Sequence, residues 1–308
     1  MSNATDPRPI GVFDSGAGGM SVLRELRRHM PDERFVYFGD SLHTPYGSKP
    51  VEWIRERSAR ITDFLIGDLD AKAVVIACNT ATAAAADYLR QVRTDIPIFG
   101  IEPALKPAAM ENPGGTILVM ATEATLRLDR FRLLVDRWGT GAAVVSVPCP
   151  GLADAIENGK AGTAELWRMV DGLVGEWRDH ADAVVLGCTH YPFVVNEIRD
   201  VLGDAVRIYD GAEGTARNVR STLDRMGLLA DPAEVPRASL TDGLFAVQGR
   251  GSLVPKVWSV PDATTLLMTS GTQEHLARFA SLARRGQAYD SFGGTYAMGD
   301  ATGISISA

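Results

Sequence analysis

The run Ala71-Lys72-Ala73-Val74-Val75-Ile76-Ala77-Cys78-Asn79-Thr80 recurs as Ala181-Asp182-Ala183-Val184-Val185-Leu186-Gly187-Cys188-Thr189-His190, an offset of 110 residues (78 to 188). A short run rich in Val and Ile, stopped by small and polar residues, reads as a central strand of a parallel sheet whose carboxyl end opens into a crevice. The echo extends upstream. Ile10-Gly11-Val12-Phe13-Asp14-Ser15 aligns with Ile117-Leu118-Val119-Met120-Ala121-Thr122 at an offset of 107, and Phe35-Val36-Tyr37-Phe38 with Val144-Val145-Ser146-Val147 at 109. Apolar strands at loosely regular spacing are common to parallel α/β chains. A Cys with hydroxyl-bearing residues close behind it at both matching strand ends favours duplication, in which two halves present two thiols to one ligand.

The order of elements repeats accordingly. Strands read at 10–13, 35–38, 74–77 and 97–101, then at 116–120, 143–147, 183–187 and 205–209. Helices read from Ser21 onward and over about 50–69, 82–92, 125–138, 163–178, 193–202 and 215–229. This alternation predicts an α/β fold of two pseudo-symmetric lobes, each a parallel-sheet α/β sandwich, with the active site in the cleft between them. The long connection near Glu102-Pro103 and the restart at Gly114-Gly115 place residues 1–101 in lobe one, completed by 212–308, and 102–211 in lobe two. The stretch 231–264, with prolines at 232, 236, 255 and 261, reads as irregular. Leu266–Gly271 reads as a late strand and the following residues as a helix through Arg285; the tail after Gly286 is polar and glycine-rich.

With 308 residues and 45% hydrophobic content the chain can fill two cores. Its net charge is −7 and its basic residues are scattered through stretches such as Leu23-Arg24-Glu25-Leu26-Arg27-Arg28, so no nucleic-acid partner is expected. No apolar run approaches the roughly 18 residues that span a bilayer, and the start lacks a basic region followed by an apolar core, so neither membrane nor leader is expected. Three cysteines, Cys78, Cys149 and Cys188, are too sparse for a secreted disulfide scaffold; a reducing cytoplasm is the expected compartment.

A Cys placed where a strand gives way to the loop before a helix lies near helix amides, which favour thiolate over thiol and make it available as a base. A single such Cys is also readable as a small buried hydrophobe; a matched pair, each followed by hydrogen-bonding residues, points to chemistry. Ser15, Asn79, Thr80, Thr122, Thr125 and Thr189 all fall just after strands, where turn amides and helix amino ends suit a carboxylate or phosphate. Asp14 could relay a proton for Cys78, or only cap the next helix; His190 could pair with Cys188, or only donate to a carbonyl. The turn Asp14-Ser15-Gly16-Ala17-Gly18-Gly19 matches neither nucleotide fingerprint. Cys149 with His29, His43, His180 or His275 forms no metal-ligand spacing, so no metal is expected. A Cys-His-Asp hydrolase would leave the second thiol unexplained.

Gly11-Val12-Phe13-Asp14-Ser15-Gly16, Pro45-Tyr46-Gly47, Ala77-Cys78-Asn79-Thr80-Ala81 and Leu186-Gly187-Cys188-Thr189-His190-Tyr191-Pro192 resemble, in the same order, the motifs of the glutamate racemases of the cofactor-independent aspartate/glutamate racemase superfamily. The resemblance covers residues 10 to about 229, and Thr269-Ser270-Gly271 is similar to the family's final strand. It implies interconversion of L- and D-glutamate without a cofactor, supplying D-glutamate for peptidoglycan. Cys78 and Cys188 would be the acid/base thiols, with Asp14, His190 and Glu157 assisting. Asp14, Ser15, Tyr46, Gly47, Asn79, Thr80, Thr122, Thr125, Thr189 and His190 would hold the amino acid. The chain departs from the pattern at Ala121, usually Gly, at Gly151–Ala155, usually more apolar, and in 231–264, which reads as an addition.

Inverting an α-carbon means removing a proton from one face and delivering one to the other, which two opposed thiols can do without swinging round. The site must also stabilise the carbanion with donors aimed at the substrate carboxylate. Lys49, Lys72, Lys106, Lys160 and Lys256 stand in no recognisable pyridoxal motif. Alternatives at this point are a racemase or decarboxylase of the same superfamily acting on another acidic substrate, and a partner-binding protein using 231–264. The sequence also leaves a homodimer open.

Overall fold

The computed structural model describes residues 5–233, 244–248, 265–272, 274, 275, 277 and 278. The chain begins with β1 (Ile10–Asp14), α1 (Met20–His29), β2 (Phe35–Gly39), α2 (Val51–Gly67), β3 (Ala73–Ile76), α3 (Asn79–Val92) and β4 (Ile98–Gly100). Past α4 (Leu105–Glu111) come β5 (Thr116–Ala121), α5 (Glu123–Arg127), α6 (Asp129–Trp138), β6 (Ala143–Pro148), α7 (Leu152–Glu157), α8 (Ala164–Val174), β7 (Ala183–Leu186), α9 (Val195–Leu202) and β8 (Arg207–Asp210). α10 (Ala212–Met226), β9 (Leu244–Gln248) and β10 (Thr265–Thr269) follow.

These strands form two parallel sheets. One runs β4-β3-β1-β2-β10-β9, the other β8-β7-β5-β6, so the first four strands of each have the same order. Register repeats as well. Ile10 lies between Phe35 and Ala73, and Ile117 lies between Val144 and Ala183. Val74 pairs with Ile98 as Val184 pairs with Ile208. The offsets of 107, 109 and 110 in the sequence are therefore positions that coincide in space.

β1, β3 and β7 are buried along their whole length, which is why they carry no polar alternation. Successive side chains go to opposite faces. Ile10 and Val12 pack with Leu23 and Leu26 of α1 and Val219 of α10, while Phe13 packs with Ile54 and Leu65 of α2 and Leu89 of α3. In the other sheet Leu118 and Met120 face Val170 and Ile198, and Ile117 and Val119 face Leu105 and Phe131. Each such aliphatic side chain contributes about 1.5–3 kcal/mol by leaving water. The resulting layers are rigid enough to hold loops at the sheets' carboxyl edges.

Boundaries differ from the sequence reading where local capping decides them. α3 starts three residues earlier than expected, because the Cys78 sulfur accepts from Ala81 N at 3.5 Å and caps it. The expected helix over 125–138 is two, broken at Leu128, whose ψ of 143° is extended. α10 ends at Met226 because Gly227 takes the left-handed φ of 66°. Within 231–264, residues 244–248 are a strand pairing with β10, not irregular chain. Apart from 231–233, the rest of that stretch lies outside the described residues. So do most of the helix expected through Arg285, of which 274, 275, 277 and 278 are helical, and the tail after Gly286.

Candidate active site

The loops that follow β1, β3, β5 and β7 meet where the two sheets' carboxyl edges face each other. Cys78 and Cys188 are both buried free thiols. The Cys78 sulfur donates to Ser15 Oγ at 3.7 Å. The Cys188 sulfur lies 3.8 Å from His190 Nδ1, and His190 Nε2 is 2.6 Å from Glu157 Oε2. Asp14 accepts from Gly16 N at 2.8 Å and, across the cleft, from Thr189 Oγ1 at 3.1 Å. Glu157 in turn accepts from Ala17 N, at 2.9 and 3.2 Å to its two oxygens. Each carboxylate thus takes a donor from the opposite side of the cleft.

Burial sets the electrostatics. It pushes the Cys78 thiol up to about 12, assisted by the negative charge of Asp14 and only partly opposed by the Ala81 N–H and Ser15. The expectation that helix amides would favour thiolate at Cys78 is therefore reversed: one amide is outweighed by desolvation and a facing carboxylate. On the other side, burial opposes charge on both Glu157 and His190, yet their mutual hydrogen bond prevails. Glu157 lies below the usual carboxylate range, helped by Ala17 N–H and Arg278, and His190 is raised well above the usual imidazole range by Cys188 and Glu157. A cation therefore faces the Cys188 sulfur, and a neutral thiol stands at Cys78.

The remaining expected binders surround this pair. Thr80, Thr122 and Thr125 place three hydroxyl oxygens within 2.9–3.2 Å of one another. Thr122 also caps α5, accepting from Thr125 N at 3.2 Å. Among the described residues neither polar atom of the buried Asn79 amide finds a partner, a cost of about 1–3 kcal/mol that a polar ligand would relieve. Gly47 is packed so closely on Thr122 that a Cβ there would come within 2.9 Å of it. The Tyr46 hydroxyl is committed to Asp40 at 2.6 Å, so Tyr46 anchors the loop carrying Gly47.

Two glycines of the turn owe their place to close approach across the cleft. A Cβ on Gly16 would sit 2.7 Å from the Glu157 oxygens, and one on Gly18 only 2.5 Å from His190 Nδ1. Sequence reasoning passed over the Ala17 amide, Tyr37, Asp40 and Arg278. Asp40 follows β2 as Asp14 ends β1, which is a signal of position. It accepts two bonds from Arg57, at 2.6 and 2.7 Å, besides that from Tyr46. The Cys149 sulfur donates to Val147 O at 3.3 Å, and its side chain packs with Tyr191 behind Cys188. Among the described residues no cluster of three or more His, Cys, Asp or Glu side chains could hold a metal ion, and no helix is long and apolar enough to cross a membrane.

The model of the Asp/Glu/hydantoin racemase family matches residues 19–219. A glutamate racemase of Clostridium perfringens (strain SM101 / Type A) is 46% identical over 224 residues, covering 72% of this chain and 86% of that protein. The crystal structure of glutamate racemase isoform RacE1 from Bacillus anthracis superposes with a TM-score of 0.71 at 30% identity, covering 92% of this chain and 94% of the other. That of Escherichia coli glutamate racemase in complex with L-glutamate and the activator UDP-MurNAc-ala gives 0.68 at 28% identity, over 85% and 98%. A matching family model over most of the chain, together with a relative of this identity and coverage, decides the matter: the chain belongs to the Asp/Glu/hydantoin racemase family and is an amino-acid racemase.

Proposed function

We propose that the chain is a glutamate racemase that inverts the α-carbon by a two-base proton transfer between Cys78 and Cys188. The observation that carries this reading is the pair of buried free thiols at equivalent strand ends, each with its own carboxylate nearby. One thiolate removes the α-proton and becomes a thiol; the electron pair stays on carbon, spread into the α-carboxylate; the opposite thiol delivers its proton to the other face and becomes the thiolate. The two sulfurs have then exchanged states, which leaves the site set for the opposite enantiomer until proton exchange with solvent restores it.

Asp14 assists Cys78, and His190 with Glu157 assists Cys188. The positive charge of the substrate's ammonium group offsets the desolvation and carboxylate charge that hold Cys78 as a thiol. Ser15, Asn79, Thr80, Thr122, Thr125 and Thr189 bind the two carboxylates, and Asn79 gains the partner it lacks. Gly47, on its loop anchored by Tyr46, closes one wall. The lobes divide at the crossings near Glu102-Pro103 and Gly211, into 1–101 with 212–308 and 102–211. Both thiols come from one chain, so this chemistry needs no second copy. The product, D-glutamate, would serve peptidoglycan synthesis in the cytoplasm.

The test is incubation with L-glutamate in deuterated water. D-Glutamate carrying deuterium at the α-carbon is expected; absence of α-exchange with glutamate would overturn the reading.

A further inference from the structure

Tyr37 lies in the middle of β2 and is wholly buried, where sequence reads only a core aromatic. Its hydroxyl nonetheless reaches the candidate site, donating to the Gly16 carbonyl at 2.7 Å. That carbonyl and the N–H of Ala17 belong to one planar peptide unit, so fixing the first aims the second. The Ala17 N–H is the group that donates to both Glu157 oxygens. The N–H of Gly16, on the preceding peptide, donates to Asp14. A Cβ on Gly19 would come within 2.9 Å of the Tyr37 oxygen and 2.6 Å of Asp14 Cβ, which shows how tightly the turn is drawn over the hydroxyl.

Resting on the two-thiol reading, we propose that Tyr37 is a positioning residue for both half-reactions, setting Glu157 and His190 beside Cys188 through the Gly16–Ala17 peptide and Asp14 beside Cys78 through the same turn. One hydroxyl then serves two chemically opposite faces of the substrate. Burial, with the negative charges of Asp14 and Glu157 near it, pushes the phenol well up and keeps it a donor.

The variant Tyr37→Phe removes that donor, and with it the acceptor of the Gly19 N–H in the same turn, while keeping the ring that fills the core. Assayed on the full chain, kcat should fall at least tenfold in both the L-to-D and D-to-L directions, with KM changed less than threefold. The acid limb of the kcat/KM profile should move to higher pH, because a loosened Ala17 N–H lets burial raise Glu157; its other neighbours, His190 and Arg278, are unchanged in the variant. Wild-type kcat and pH profile with only a lower melting temperature would overturn the proposal. Should Tyr37→Phe not fold, an amide-to-ester replacement at Ala17, which keeps every side chain, should shift the acid limb the same way; an unmoved limb overturns it. If the wild-type chain failed to racemise glutamate, the two-thiol reading would fall instead, and the two failures are thereby distinct.

Discussion

Glu157 and His190 form a pair 2.6 Å apart with side chains only 4% and 3% exposed, so the site's chemistry is tied to the chain's stability. Glu157 is held below its ordinary 4.5, so its contribution is present above that pH and lost as pH falls through the folded value. His190 is held well above its ordinary 6.5, so its contribution is complete below that pH and is lost as pH rises toward the folded value. The stability of wild type over Glu157→Gln should accordingly be largest between about pH 4.5 and 6.5, on the order of 3–5 kcal/mol for a broken buried pair, and decline above 6.5. Urea unfolding of both proteins across pH 4 to 9 measures it; a difference flat from pH 6 to 9 would contradict the assignment. Cys78 and Cys188 were legible because residue type and repeat position coincide, and Asp14 and His190 because each is a titratable residue just at or after a strand end. The Ala17 N–H was not, since a backbone donor leaves no trace in residue type, and Tyr37 was hidden by looking like core.

The turn between β1 and α1 shows how an element can be read correctly as a loop and wrongly weighed. No glycine in it has a positive φ, so Gly16 and Gly18 are there for contact across the cleft, Gly19 for contact with Asp14 and Tyr37, and none for backbone freedom. Gly18→Ala would push a methyl into His190 Nδ1 and Thr189 Oγ1, and His190 cannot yield because Glu157 pins it. The variant should lose about 1–3 kcal/mol of stability by overpacking, and over 100-fold in kcat. As a control, Gly214→Ala in α10, with nothing within 4 Å of the added carbon, should keep full activity and gain about 0.5–1 kcal/mol. Racemase kinetics and thermal unfolding of both variants check this, and equal kcat in the two would contradict it. Buried strands were legible because a strand covered on both faces must be apolar throughout. Helix ends were not, because a sulfur cap at Cys78 and an extended Leu128 follow from the packed loops around them.

At the scale of the molecule, the repeat offsets became register, and register put the carboxyl ends of β3 and β7 in equivalent places. Where the halves differ, sequence said less: β10 and β9 extend only the first sheet, and β9 falls within a proline-punctuated stretch that masks its strand character. The two chain crossings between the sheets touch, a Cβ on Gly211 lying within 2.2 Å of the Glu102 carbonyl, so the cleft is bounded on one side by adjacent connections. The proposed two-base reading requires one arrangement, two thiols on opposite faces of one carbon. The most direct test follows α-proton exchange by NMR in deuterated water, offering L- and D-glutamate separately to Cys78→Ala, Cys188→Ala and Cys149→Ala. Both active-site variants should lose racemisation while each still exchanges the α-proton of one enantiomer, a different one in each case, and Cys149→Ala should behave as wild type. Full racemisation by Cys78→Ala or Cys188→Ala, or identical behaviour of all three, would contradict the account.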